Sequence, residues 1–327
     1  MKAARFHETG GPEVLVYEDV PDPVPGRGEI LLKVEAAGVN YVDIMRRRGD
    51  PMHEPSPTPF TIGYEMAGVV AGHGPGVDGP ATGTPVFVHS GSGAYAQYAV
   101  VPAEKAIPIP DGIDAVQMTA LWLQGITAAL ALREAGRLGK GDTVLVEAAA
   151  GGLGILTVQL AKVWGAGSVI AAASTPEKVE LARSFGADLG VDYSLSGWGE
   201  EVMRLTEGRG TDLVIESVGG ETLLAALGTL APFGRLVVLG SASNIPSLVH
   251  SGELFNHNRS MVGFGVHQYF PNTELIKSTV AELVELVVDG RLRLQLDHVL
   301  PLREAAQTHR LVEERRSTGK VVLQPWA

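Results

Sequence analysis

The sequence predicts an α/β protein, a Rossmann-type doubly wound parallel sheet joined to a β-rich domain. Three observations carry that prediction. From about residue 121 onward, short apolar segments alternate with helical patterns. A glycine turn joins the first of these segments to a helix, in the run Val144–Leu145–Val146–Glu147–Ala148–Ala149–Ala150–Gly151–Gly152–Leu153–Gly154. The first ~120 residues instead carry β-type segments broken by Gly and Pro, the punctuation of a distorted barrel. A chain of 327 residues exceeds one comfortable core, which agrees with two domains.

In chain order, β-type segments fall at 14–20, 29–39, 66–71 and 86–89, separated by the breakers 21–28, 51–59 and 72–80. The alternating part places strands at 143–148, 168–173, 189–193, 213–217, 235–239 and 261–266, with helices between them. The helix at 176–185 shows the signals most fully. Thr175 caps it, Pro176 takes the first helical position, and Glu177 suits the positive end. The last ~60 residues hold an amphipathic helix around 273–288 and short strands at 299–301 and 320–323. They are expected to return to the first domain, so that 1–121 with 268–327 form one domain and 122–267 the other.

Composition narrows the function. A net charge of −11 offers no general attraction for nucleic acid or an anionic membrane. No apolar run is expected to reach the ~18 residues of a spanning helix. Met1–Lys2–Ala3–Ala4–Arg5–Phe6 lacks the apolar core of a signal peptide, so a cytoplasmic location is expected. The chain has 0 cysteines, which removes thiolate nucleophiles, disulfides and cysteine-ligated zinc together. The nearest histidine grouping, His250 and His257 with Asn256 and Asn258, reads as a polar loop, and no metal site is expected.

The glycine turn follows G-x-G-x-x-G spacing with Ala149 in the first glycine slot. Gly151 would let the backbone approach a diphosphate, and Gly154 would let helix and strand pack closely. The backbone at Ala150, Gly151, Gly152 and Leu153 would then hold the phosphates at the helix N-terminus. An NAD site places an acid at the end of the second strand to bind the ribose hydroxyls. Here that position reads Ala172–Ala173–Ser174–Thr175, without an acid. Ser174, Thr175 and Lys178 could instead receive a 2′-phosphate, which favours NADPH over NADH. Lys178 reads equally as a solvated helix lysine, and Glu177 is expected to point away from the phosphate.

Ala36–Ala37–Gly38–Val39–Asn40–Tyr41–Val42–Asp43, Gly63–Tyr64–Glu65–Met66–Ala67–Gly68–Val69–Val70 and Gly93–Ala94–Tyr95–Ala96–Gln97–Tyr98 resemble quinone oxidoreductases of the zeta-crystallin type. Leu123–Gln124–Gly125–Ile126–Thr127–Ala128 and Glu216–Ser217–Val218–Gly219–Gly220 continue the resemblance across nearly the whole chain. These enzymes form the zinc-free branch of the medium-chain dehydrogenase/reductase superfamily. The resemblance implies a GroES-like catalytic domain, a Rossmann NADP(H) domain, and an active site in the cleft between them. It also implies a homodimer formed by pairing the last Rossmann strands, here 261–266. Where the zinc-dependent branch carries cysteine and histidine ligands, this chain has Asn40 and Tyr64.

By the same resemblance Lys178, Tyr193 and Arg316 match positions that hold the 2′-phosphate, with Arg315 a rival to Arg316. Gly240, Ser241, Phe264 and Gly265 match the nicotinamide side, and Gln124 and Thr127 line the cleft. The implied reaction is hydride transfer from NADPH to a quinone or other conjugated carbonyl, a small molecule. Asn40 and Tyr64 are the expected donors to the oxygen where charge develops, although Asn40 also reads as a turn residue and Tyr64 as a packed aromatic. The proton comes from solvent or from Tyr64. Arg46–Arg47–Arg48 reads as a solvated helix end or as an anion site. The latter keeps open an enoyl-thioester reductase, and a third reading is a fold-keeping structural protein. The proline-rich 51–59 segment is expected to form a stiff loop that sets acceptor choice. Trp122 and Trp164 read as packing residues.

Overall fold

Six parallel strands in the order Leu189–Asp192, Ser168–Ala173, Thr143–Val146, Thr211–Glu216, Leu230–Val238 and Ser260–Gly263 form the predicted sheet. The computed structural model describes residues 1–51 and 55–327. Numbered along the chain, the strand order is 3-2-1-4-5-6, with the chain reversing direction across the sheet between Thr143–Val146 and Thr211–Glu216. Thr143–Val146 is buried at every position, as a strand covered on both faces requires. The strands carry Leu145, Ile170, Val214 and Leu236 into one core with Trp198 and Val202 of the amphipathic helix Trp198–Leu205.

The sheet belongs to a unit spanning Gln124–Leu294; Met1–Leu123 and Gln295–Ala327 form the other. The return to the first unit therefore comes at 295, later than the predicted 268. The helix Thr273–Val288, bounded as predicted, stays with the sheet. Its Glu282 takes both Nη atoms of Arg133 at 2.6 and 2.7 Å and the indole N–H of Trp164 at 3.0 Å. Beyond it, Gln159 exchanges two hydrogen bonds with the backbone of Arg293, at 2.8 and 2.9 Å. Long-range polar contacts of this kind leave no local pattern in the sequence.

In the first unit a seven-stranded, mostly antiparallel sheet runs Leu296–Pro301, Lys320–Gln324, Glu29–Val39, Glu65–His73, Pro85–His89 and Ile107–Pro108, with Tyr98–Pro102 also on Glu29–Val39. A three-stranded sheet, Leu15–Asp19, Lys2–Phe6 and Phe60–Thr61, completes it. Phe6, Ile30, Leu32, Met66, Tyr95 and Leu323 fill the core between them. Lys2–Phe6 and Tyr98–Pro102 were not legible as strands. Alanines blur the alternation in the first, and the second ends on a proline. Strand Leu230–Val238 also begins earlier than expected. The breakers Pro232 and Gly234 lie inside it, and Phe233 takes a left-handed turn at φ 65°.

One expectation about length is corrected. The helix Ala115–Leu130 continues through the π-helical turn Ala131–Ala135, and the 21 residues together are long and apolar enough to cross a membrane. Of its apolar window, 67% is buried inside the fold, as in a core helix. The loop expected at 51–59 falls partly on residues 52–54, outside the described residues.

Candidate functional site

The glycine turn closes as its spacing requires. Gly151 caps helix Gly152–Val163 in an extended conformation, and its N–H bonds back to Ala148 O at 2.9 Å. No side chain caps this helix, so its first N–H groups face outward unclaimed by a cap. Ala148 takes a left-handed φ of 47° to make the turn. A Cβ on Gly154 would lie 2.3 Å from Ala148 O and 2.6 Å from Ala149 Cα, so only glycine lets this helix sit on the strand end. A Cβ on Gly151 would meet only Ala148 O, at 3.3 Å, which leaves the approach open. Gly152 makes a second close approach: a Cβ there would lie 2.2 Å from Gln124 Oε1, a buried oxygen without a hydrogen-bond partner. Open amides and a glycine cradle fit the diphosphate of a dinucleotide.

At the end of the second strand, Thr175 Oγ1 accepts the N–H of Lys178 at 3.3 Å and starts helix Pro176–Ser184. Glu177 departs from expectation. Its carboxylate turns back to its own N–H and to the Thr175 hydroxyl, which hold it below the ordinary carboxylate range. An acid without a basic partner at a helix N-terminus folds onto the nearest donors. Tyr193 follows the third strand, its N–H on Ala173 O at 2.9 Å. Gly240 and Ser241 follow the fifth strand, and a Cβ on Gly219 would lie 2.8 Å from Ser241 Oγ. Phe264 binds Val238 O through its N–H at 2.8 Å and leads into Gly265. All of these sit at the C-terminal ends of parallel strands, where open α/β sheets bind ligands. Gln124 and Thr127 are three residues apart on helix Ala115–Leu130, so they share a face.

Arg316, Asn40 and Tyr64 belong to the other unit. Arg316 is exposed and pairs with Glu314 at 2.9 Å. Asn40 sits at the start of helix Tyr41–Arg48, its N–H on Asp43 Oδ2 at 2.9 Å. Its side chain is spent: Nδ2 donates to Glu65 Oε1 at 2.8 Å and to Gly38 O at 3.4 Å, and Oδ1 accepts Lys320 Nζ at 2.8 Å. Lys320 also bonds Glu65 Oε1 at 2.6 Å, and the two are 1% and 0% exposed. This corrects the expected role of Asn40, which ties the buried Glu65–Lys320 pair together and has no N–H to spare. Tyr64 differs. It is half-buried, with Arg46 5.7 Å from its ring centroid and His89 5.7 Å away, and its hydroxyl has no hydrogen-bond partner among the described residues. His89 stacks on Trp122 at 5.1 Å, which stacks on Phe87 at 4.9 Å, and burial holds His89 below its ordinary pKa.

The arginine run is not solvated. Arg47 is fully buried and forks onto Glu313 at 2.6 and 3.1 Å, Arg48 joins the same carboxylate at 2.7 Å, and Arg46 donates to Gly91 O at 2.8 Å. Beneath it lies a group that the sequence did not flag. Burial and the nearby Glu65 push the Asp43 carboxyl up to about 7, against the N–H groups of Asn40 and Tyr64 and the Lys320 charge. Tyr95 Oη meets His309 Nε2 at 3.2 Å, and burial with Arg47 lowers that imidazole to about 3. Asp43 had a signal in the Asn40-x-x-Asp43 capping-box spacing. Lys320, 255 residues from Glu65, had none.

Residues 26–111 match the alcohol dehydrogenase GroES-like domain, and residues 152–288 match the zinc-binding dehydrogenase family. A quinone oxidoreductase of Pseudomonas aeruginosa is 36% identical, covering 99% of each chain. A 2-haloacrylate reductase of a Burkholderia species is also 36% identical over 99% of each. A mycobacterial protein solved in complex with NADPH superposes with a TM-score of 0.91 at 35% identity, over 99% of this chain and 100% of that one. The residues do not fit the zinc that one description implies. The chain has no cysteine, the Asn40 amide is committed, and the described residues hold no group of three or more His, Asp or Glu able to bind a metal.

Proposed function

The chain belongs to the quinone oxidoreductase family of the medium-chain dehydrogenase/reductase superfamily, and on that premise we propose that it is an NADPH-dependent reductase of quinones or other conjugated carbonyls. The observation that carries the reading is the uncapped N-terminus of helix Gly152–Val163 at the reversal of the sheet, beside a second strand that ends without an acid. Ala150, Gly151, Gly152 and Leu153 would hold the diphosphate. Ser174, Thr175, Lys178, Tyr193 and Arg316 would hold the 2′-phosphate. Gln124, Thr127, Gly240, Ser241, Phe264 and Gly265 would line the nicotinamide side. Bound there, the nicotinamide supplies the hydride.

The acceptor oxygen gains charge as it is reduced and then needs a proton. Tyr64 is the donor, because among the described residues no hydrogen bond occupies its hydroxyl. Asn40 acts through Glu65 and Lys320, which it keeps in register. The names of the two curated relatives share one chemistry, an alkene conjugated to an electron-withdrawing carbonyl. The basic entrance that favoured a thioester is taken up by Glu313 and Gly91.

Steady-state NADPH oxidation against 1,4-benzoquinone and against crotonyl-CoA tests the reading. Brisk turnover of the quinone and little of the thioester is expected; the reverse would overturn it. We place the enzyme in the cytoplasm as a homodimer. The edge strand Ser260–Gly263 supports the dimer, since among the described residues it pairs only with Leu230–Val238 and leaves Met261 41% exposed. A monomer in sedimentation equilibrium would remove the dimer from the proposal.

A further inference from the structure

Two carboxyl groups lie buried where the two central strands end. Val146 pairs with Ile215, the Glu147 N–H reaches Ile215 O at 3.1 Å, and Glu147 and Glu216 follow on adjacent strands. They are 2% and 0% exposed, and no ion pair reaches either one among the described residues. Glu216 Oε1 accepts the N–H of Val218 at 2.7 Å and also that of Gly219. The titratable group that faces each carboxyl is the other.

We infer that Glu147 and Glu216 share one proton and act as a clasp, Glu147 donating as a carboxylic acid to the Glu216 carboxylate, which in turn holds the 217–219 loop. Burial, and next the Glu216 charge, pushes the Glu147 carboxyl well above the ordinary range, only partly offset by the N–H groups of Ser217 and Val218. Burial also raises Glu216, but its bonds to Gly219, Glu147 and Val218 favour its charged form. Two bare carboxylates at this depth have no counter-charge to hold them together.

The clasp spans the loops assigned above to the nucleotide. Glu147 runs straight into the glycine turn. The 217–219 loop accepts the N–H of Ala242 on Ser217 O at 3.1 Å and that of Ser243 on Val218 O at 2.8 Å, so it fixes the segment carrying Gly240 and Ser241. Gly219 and Gly220 take left-handed φ of 77° and 62°, so the loop reaches helix Gly220–Gly228 only in this conformation. Glu147 and Glu216 are positioning residues, and their effect on the cofactor rests on the NADPH reading. When the shared proton leaves as pH rises, the carboxylates repel and the 217–219 and 240–243 segments loosen.

The test compares wild type with Glu147→Gln, which keeps an N–H donor and cannot titrate. In the apoprotein, wild type should lose melting temperature as pH rises above the ordinary carboxylate range and the variant should lose less. The NADPH dissociation constant of wild type should rise about tenfold over that range, against a nearly flat profile for the variant. Superimposable profiles in both measurements overturn the clasp. If NADPH binds neither protein, the proposed function fails while the apoprotein melting still judges the clasp. Should Glu147→Gln not fold, infrared spectra of wild type at about pH 6, above the ordinary carboxylate range, must show a protonated carboxyl besides that of Asp43. Its absence overturns the proposal.

Discussion

Asn40 and Tyr64 looked equivalent in the sequence, two polar residues standing where related enzymes bind metal. The structure separates them by what each already holds. Tyr64→Phe should lower kcat with a quinone by about 100-fold while leaving NADPH affinity unchanged, the signature of a lost proton donor. An unchanged kcat would assign the proton to solvent. Asp43 gives a second reading at this scale. Its carboxyl rises from 3.8 to about 7 in the fold, so the native state binds the proton more tightly than the unfolded chain. The corresponding stability is complete below about pH 4 and is lost as pH rises through about 7, on the order of 4 kcal/mol at most. Asp43→Asn should flatten that slope in urea titrations; an unaltered slope would mean that the group stays ionised. These buried partners escaped the sequence because they meet across long separations. Glu65, Lys320 and His309 each sit in strands or helices whose local pattern reads as apolar packing.

Among the elements, the turn at Gly151–Gly154 was the most legible, since glycine spacing is a local property that the backbone obeys directly. Helix Pro176–Ser184 and helix Thr273–Val288 were also marked, the first by its cap and proline, the second by its apolar period. Strands Lys2–Phe6 and Tyr98–Pro102 were not, because their pairing comes from neighbours distant in the chain. The turn itself gives a paired prediction. Gly154→Ala should destabilise the fold by about 1–3 kcal/mol, because its new methyl meets backbone. Gly152→Ala meets only the end of the Gln124 side chain, which can move, so stability should change little. Equal losses in chemical denaturation would show that the helix does not sit on the strand end as described.

For the whole molecule, length and the change of pattern near residue 121 were enough to announce two units. The boundary near the C-terminus was not, because polar contacts from Glu282 and Arg293 decide it. An acidic chain of net charge −11 that binds a phosphorylated dinucleotide must concentrate its cations and open amides where the phosphates go. On the proposed reading Ser174, Lys178 and the helix N-termini would meet that demand, while Glu177 on Thr175 opposes it. Thermal melting with each reduced dinucleotide in turn therefore tests the central claim most directly. At equal saturating concentrations, NADPH should raise the melting temperature by about 5 °C or more and clearly beyond NADH. Equal shifts, or a larger shift with NADH, would contradict the account.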